Sequence, residues 1–154
     1  RMMKKPHTGP RLHSLEVPLD GITLIIPSAV VAEVINPLNL SPVPFGEPWL
    51  GGAIGWRTLT IPVISFETLL GVPPVVRPES GKIVIFYPLG GRKDWEFFGM
   101  LASAEPRPQV LDGSQTVAQG SELPGSPYIA AGLKIEGRLM LIPDFEQINK
   151  AFYP

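Results

Sequence analysis

Cysteine is missing from all 154 positions of the chain. No disulfide, thiolate nucleophile or Cys-ligated zinc site can therefore exist. Charge is scarce as well: 18% of the residues are charged, against about 25% in an ordinary domain. The formal net charge is −1. That leaves no basic footprint for nucleic acid and none for an anionic membrane surface. Long apolar runs are absent too. Stretches such as Ile22 to Pro27 and Ile61 to Ile64 fall far short of the ~18 residues of a membrane span. Arg1, Lys4 and Lys5 stand near the start, but the apolar segment of a signal peptide does not follow them. The chain reads as soluble, not exported and cytoplasmic.

Histidine is nearly absent. His7 and His13 are the only two imidazoles, and both fall in residues 1–13, which carry no periodic apolar pattern and are expected to form a flexible leader. A general base must be held on a rigid scaffold, so no catalytic residue is assigned. A metal site needs several converging ligands, and none is assigned. Glu33, Glu67, Asp112 and Asp144 are scattered, and no spacing pairs two of them on one element. They read as solvated, turn or cap residues. Gly90-Gly91-Arg92 lacks the strand, loop and helix of a phosphate loop and reads as a hairpin turn. Lys82, Arg92 and Lys93 do not interleave with aromatics as a nucleic-acid groove requires. The reading is a non-enzyme without a cofactor.

What is plentiful is hydrophobic residues, at 44%, and proline and glycine, at 19 and 16 residues. The first allows a core. The second divides the chain into short pieces, which small barrels accept and helices do not. Leu15, Val17 and Leu19 alternate, Asp20-Gly21 signals a hairpin turn, and Ile22 to Ile26 reads as a strand. Ala29 to Ile35 is a further strand, with a helical turn possible at Ser28. Residues 36–48 hold four prolines and should be extended. Ala53 to Trp56 and Leu59 to Ser65 read as paired strands, with Pro62 at an edge or bulge. Ser65 can cap a short helix, Phe66 to Leu70, stopped by Gly71.

The second half continues in the same style. Residues 72–81 form a proline-rich seam. Strands are expected at Lys82 to Tyr87, Trp95 to Leu101, marginally Gln109 to Leu111, then Tyr128 to Ile135 and Arg138 to Ile142 around a Glu136-Gly137 turn. Pro143 suits the first position of a closing helix through Phe152, with Ile142, Phe145, Ile148 and Phe152 on one face. Nine or ten short strands with two short helices define an all-β sandwich or barrel. No internal repeat stands out.

One stretch is more specific. Val31-Ala32-Glu33-Val34, the proline-rich crossing, Gly52-Ala53-Ile54-Gly55-Trp56-Arg57-Thr58, Ile61-Pro62-Val63-Ile64-Ser65-Phe66 and a short helix ending at Gly71 follow one another. This series resembles the CheW family of chemosensory adaptors, with its Val-x-Glu-Val/Ile segment, Gly-Val-Ile-Asn-Leu-Arg-Gly hairpin and Val/Ile-Pro-Val strand. The closing elements, Tyr128 to Leu133, Arg138 to Ile142 and Phe145 to Phe152, match in order only. The resemblance covers about residues 14–152.

It implies two intertwined five-stranded SH3-like barrels, with residues 14–154 as one CheW-like domain and the seam between its halves near 72–81. It implies an adaptor that binds the regulatory domain of a CheA-type histidine kinase and the cytoplasmic tip of chemoreceptors. Its matched positions make Val31, Glu33, Gly52, Trp56 and Arg57 the expected partner contacts, with Trp49 and Trp56 as either interface anchors or core. Thr58 stands in place of the family's glycine, and a β-branched residue resists positive φ, so a different turn type is expected. Ser65 replaces the family's aspartate, and Gly99 to Ser103 replaces a Val-Val-Asp stretch. Such departures suit a divergent member, for example one serving pilus-linked (twitching) signalling. The alternatives are a generic SH3-like peptide-binding module outside chemosensing, and the regulatory barrel of an enzyme.

Overall fold

The computed structural model describes residues 9–43, 46–73, 81–88 and 96–152. Within them lie eleven strands and two α-helices: β1 Leu12–Pro18, β2 Thr23–Pro27, β3 Val31–Ile35, β4 Leu50–Trp56, β5 Leu59–Ile64, α1 Phe66–Leu69, β6 Lys82–Phe86, β7 Phe98–Ala102, β8 Arg107–Leu111, β9 Thr116–Val117, β10 Ile129–Ile135, β11 Arg138–Pro143 and α2 Phe145–Phe152. They form a six-stranded sheet, β8-β1-β2-β11-β10-β9, and a five-stranded sheet, β3-β6-β7-β5-β4. The chain begins in the first, builds the whole of the second, and returns to complete the first. The fold is all-β, two intertwined SH3-like barrels with short helices; the two-residue β9 adds a sixth strand to the first.

Three apolar clusters follow from the alternation of side chains along the strands. Ile25, Ile135 and Met140 fill the first barrel. Ile54, Trp56, Ile61, Val63, Ile83 and Ile85 fill the second. A third cluster, including Val17, Leu24, Ile26, Phe66, Val84, Phe86, Phe98, Met100, Leu141 and Ile148, joins residues of both sheets and both helices. Trp49 belongs to its edge, with its ring set at 83° and 5.2 Å against Phe152. This tryptophan packs half-buried against the core.

The two sheets share one plan, an internal repeat that the sequence does not advertise. Each has three antiparallel strands, β8-β1-β2 or β3-β6-β7, joined through a parallel pair to a hairpin, β10-β11 or β4-β5. The hairpins agree residue for residue. Leu50↔Ile64 and Gly52↔Val63 flank a bulge in one; Ile129↔Pro143 and Ala131↔Ile142 flank it in the other. Both tips are two-residue loops with positive φ throughout: 44° and 67° at Arg57 and Thr58, 51° and 76° at Glu136 and Gly137. A capped helix follows each hairpin. The Ser65 hydroxyl accepts from Thr68 N, and the Asp144 carboxylate accepts from Gln147 N. Gly71, at φ 93°, closes α1 with bonds from Gly71 N to Thr68 O and from Val72 N to Glu67 O.

Several expectations change. Leu12 and His13, expected in the leader, belong to β1, paired with Leu111 and Val110. His13 is thereby a strand residue; His7 lies outside the described residues. Thr58 does adopt positive φ, because the Trp56↔Leu59 register leaves two residues for the loop and the strand twist demands a type I′ geometry. Pro62 is neither on an edge strand nor at the bulge: β5 lies between β7 and β4, but its ladder to β7 begins only at Val63, so no β7 bond is lost at the proline. Pro143 ends β11 opposite Ile129 instead of opening the helix. β8 runs from Arg107, longer than expected, because β1 templates it. Ser28–Val30 is a 3-10 turn before β3. Most of the 72–81 seam, Gly90-Gly91-Arg92, Lys93 and Trp95 lie outside the described residues.

The scattered carboxylates serve turns, caps and loop ties. The Asp112 carboxylate accepts from Ser114 N and the Glu67 carboxylate from Asp20 N. Glu122 pairs with Lys134. The bond from Lys134, then that from Gln119 N, holds the Glu122 carboxyl below the ordinary carboxylate range. Among the described residues no helix is long and apolar enough to cross a membrane.

Candidate partner-binding site

The second sheet curls until its edges meet. Ser41, beyond β3, exchanges both backbone bonds with Ala53 of β4, at 2.8 and 2.9 Å. That approach needs Gly52. Its φ is 148°, and a Cβ there would lie 2.6 Å from Ser41 O and 2.9 Å from Leu40 Cδ1. Gly52 is buried, and its own chain occupies the space its missing side chain leaves.

Closure brings three of the five expected residues together. Glu33 is on β3 and Trp56 and Arg57 are at the tip end of β4, at opposite edges of the sheet. The Trp56 indole N–H donates to Glu33 Oε2 at 3.3 Å, and Arg57 Nη2 donates to Glu33 Oε1 at 3.4 Å. One carboxylate thus spans both edge elements. The Arg57 guanidinium carbon also sits 4.6 Å from the Trp56 ring centroid.

Trp56 is 7% exposed and belongs to the barrel interior, so it is a support rather than an anchor presented to a partner. Its buried N–H is satisfied by Glu33. Arg57 and Glu33 stay in water, with side chains 63% and 41% exposed. An ion pair so hydrated is worth about 0–1 kcal/mol, and the ring contact at an exposed site adds about 0.5–1 kcal/mol. Arg57 is therefore oriented but weakly held, free to redirect its fork of donors to another carboxylate or carbonyl.

Val31 stands apart. A bulge between Val31 and Glu33 turns Val31 onto the shared cluster and Ala32 into the barrel. Val31 is half-buried opposite Phe86. Sequence reasoning missed the apolar surroundings of the tip. Phe97 packs 4.9 Å from Trp56 and 5.9 Å from Tyr87, ring centre to ring centre. Tyr87 and Leu59 are both exposed. Each was legible as a strand or strand-end residue; their convergence required the sheet to close.

Among the described residues, no group of three or more His, Cys, Asp or Glu could hold a metal ion. Among the cavities formed by described residues, three are each lined by one carboxylate: Glu67, Glu16 or Glu136.

Comparisons place this architecture. No curated protein matches the chain. Among solved structures, the scaffolding protein TtCheW from Thermoanaerobacter tengcongensis superposes with a TM-score of 0.72 at 16% identity, over 88% of this chain and 90% of that one. At that identity the likeness speaks for the fold. The family model for the CheW-like domain matches residues 13–152, nearly the whole chain. The chain belongs to the CheW-like domain family.

Proposed function

We propose that the chain is a non-catalytic cytoplasmic adaptor that couples chemoreceptors to a CheA-type histidine kinase, in chemotaxis or in pilus-linked twitching signalling. One observation carries the reading. Glu33 and Arg57, two positions at which the sequence resembles the family's partner-contacting motif, meet at an exposed hairpin tip, held by light interactions on a buried tryptophan. A partner that supplies a carboxylate or carbonyl to Arg57 exchanges one exposed ion pair for another, so docking costs little desolvation. Exposed Leu59 and Tyr87 beside the tip offer apolar area. Val31, half-buried on the shared cluster, is a further contact away from the tip, while Gly52 and Trp56 act from below by fixing the closure.

One alternative, an enzyme working through paired carboxylates, needs at least two converging acids. The three cavities above bring one each. The test is titration of the full chain with the regulatory domain of a CheA-type kinase and, separately, with a receptor cytoplasmic tip. A dissociation constant of tens of micromolar or tighter, roughly 6 kcal/mol, is expected with at least one. Failure to bind either would overturn the proposal. A generic peptide binder would bind neither, yet capture unrelated peptides at the same tip.

A further inference from the structure

The internal repeat allows the two barrels to be compared mouth to mouth. Aligning the hairpin tips and following the strand registers outward pairs Arg138 with Leu59, Thr23 with Phe97, Pro18 with Tyr87, Glu16 with Ile85 and Arg107 with Glu33. In the second barrel this mouth is plugged. Phe97 lies between Trp56 and Tyr87, with Ile85 beneath. In the first barrel the same five positions line an open cavity of about 150 Å³: Glu16, Pro18, Thr23, Arg107 and Arg138. No aromatic residue is among them.

The charge of this cavity is defined. The Glu16 side chain is 11% exposed and is fully engaged. Its Oε2 accepts from Arg138 Nη2 at 3.3 Å and its Oε1 from Gln109 Nε2 at 2.9 Å. Arg107 stands opposite Glu16 in the β1–β8 register and makes no ion pair among the described residues. Among the described lining residues two guanidiniums therefore face one carboxylate, a single surplus positive charge, with Thr23 beside them.

We propose that the mouth of the first barrel binds a carboxylate. The occupant would span Arg107 and the unused donors of Arg138, with Thr23 as a further donor. Arg favours planar, bidentate recognition of this kind. A monoanion neutralises the surplus. A phosphate dianion would leave a net negative charge against Glu16, so the site selects carboxylate over phosphate. The carboxylate comes from a free small acid or from an aspartate or glutamate side chain of a docked protein.

Binding is read on the ¹⁵N-labelled full chain from the Arg Nε–H resonances. The probes are sodium acetate, N-acetyl-aspartate amide, inorganic phosphate and sodium chloride at matched ionic strength and at about pH 8, where phosphate is mainly the dianion. Saturable shifts of Arg107 and Arg138 are expected with acetate and with the aspartate compound, weaker ones with phosphate, and none that saturate with chloride. Tighter binding of the aspartate compound supports a partner's side chain as occupant; equal binding supports a free acid. R107Q should weaken acetate binding about tenfold. T23F, which copies the plug of the second barrel, should abolish it. Shifts reproduced by chloride, phosphate binding as tight as acetate, or unaltered acetate binding in folded R107Q or T23F would overturn the proposal.

Discussion

In the second barrel Ile83 and Ile85 face a wholly apolar interior, while on the equivalent strand of the first barrel Ser14 and Glu16 stand in the same places, both buried. The hairpins around them share tip, bulge and capped helix. What the two halves have in common is therefore backbone: strand register, turn geometry and helix starts. The interior chemistry is free to diverge as long as each buried polar group finds its partner. Glu16 does, through Gln109 and Arg138. The corresponding positions beside Ile85 are Ile35 and Leu59, which can offer a carboxylate nothing.

That contrast predicts the largest effect. Ile85→Glu should bury a charge without counterparts of the Gln109 and Arg138 donors that serve Glu16 and cost more than about 4 kcal/mol, enough to leave most of the chain unfolded. The reciprocal Glu16→Ile should be close to neutral, because it removes the need for a buried pair and releases Arg138 to water. Urea titrations of the two variants measure both. Comparable losses would show that the first barrel depends on its polar interior as the second depends on its apolar one, and the comparison would fail.

Gly52 comes next. Its counterpart in the first hairpin is Ala131, beside which Ala118 N bonds Gly132 O at 2.9 Å, yet there the chain accommodates a Cβ. Gly52→Ala should therefore cost about 2–3 kcal/mol, through backbone strain at φ 148° and the clash with Ser41 O. Ala131→Gly should cost about 0.5–1 kcal/mol by chain entropy alone. The melting temperatures of the pair report the difference, and equal losses would mean that barrel closure does not rest on this glycine.

The tips are subtler. Thr58 and Gly137 occupy the same position at φ 67° and 76°. A left-handed conformation costs a non-glycine residue about 1–2 kcal/mol. Thr58→Gly should thus stabilise the chain by about 1 kcal/mol, and Gly137→Thr should destabilise it by a similar amount. Denaturation midpoints moving in the same direction for both would indicate that the two turns are not equivalent after all.

These contrasts also mark what could be read from the residues. The alternation around Gly52 to Ile64, the Ser65 cap and the Glu136-Gly137 turn are local signals, and each produced the element expected of it. Other features depend on contacts distant in sequence. The Glu33 carboxylate meets Trp56 and Arg57 only because β3 and β4 are edges of one closed sheet. β8 extends back to Arg107 because β1 pairs with it. Local preference argued against positive φ at Thr58, and the strand register overrode it. The repeat is silent in the residues for the same reason: Trp56-Arg57-Thr58 and Ile135-Glu136-Gly137 share geometry and no residue.

Arg57→Ala should have the smallest effect on stability and a clear one on binding. The side chain is mostly in water, and its two contacts together supply about 1 kcal/mol at most once side-chain entropy is counted. Glu33 keeps its bond to the buried indole when the guanidinium is gone, so the sheet edges stay joined. A melting temperature within a few degrees of the parent, with weaker binding to the kinase regulatory domain or the receptor tip, is the expected pairing. Arg138→Ala in the first barrel should behave oppositely and lower the melting temperature more. Arg138 is likewise exposed, but the carboxylate it serves is nearly buried and loses a charged partner. If Arg57→Ala were the more damaging of the two to the fold, the tip would be a structural clamp, and the proposed contact surface would have to be sought elsewhere on the second barrel.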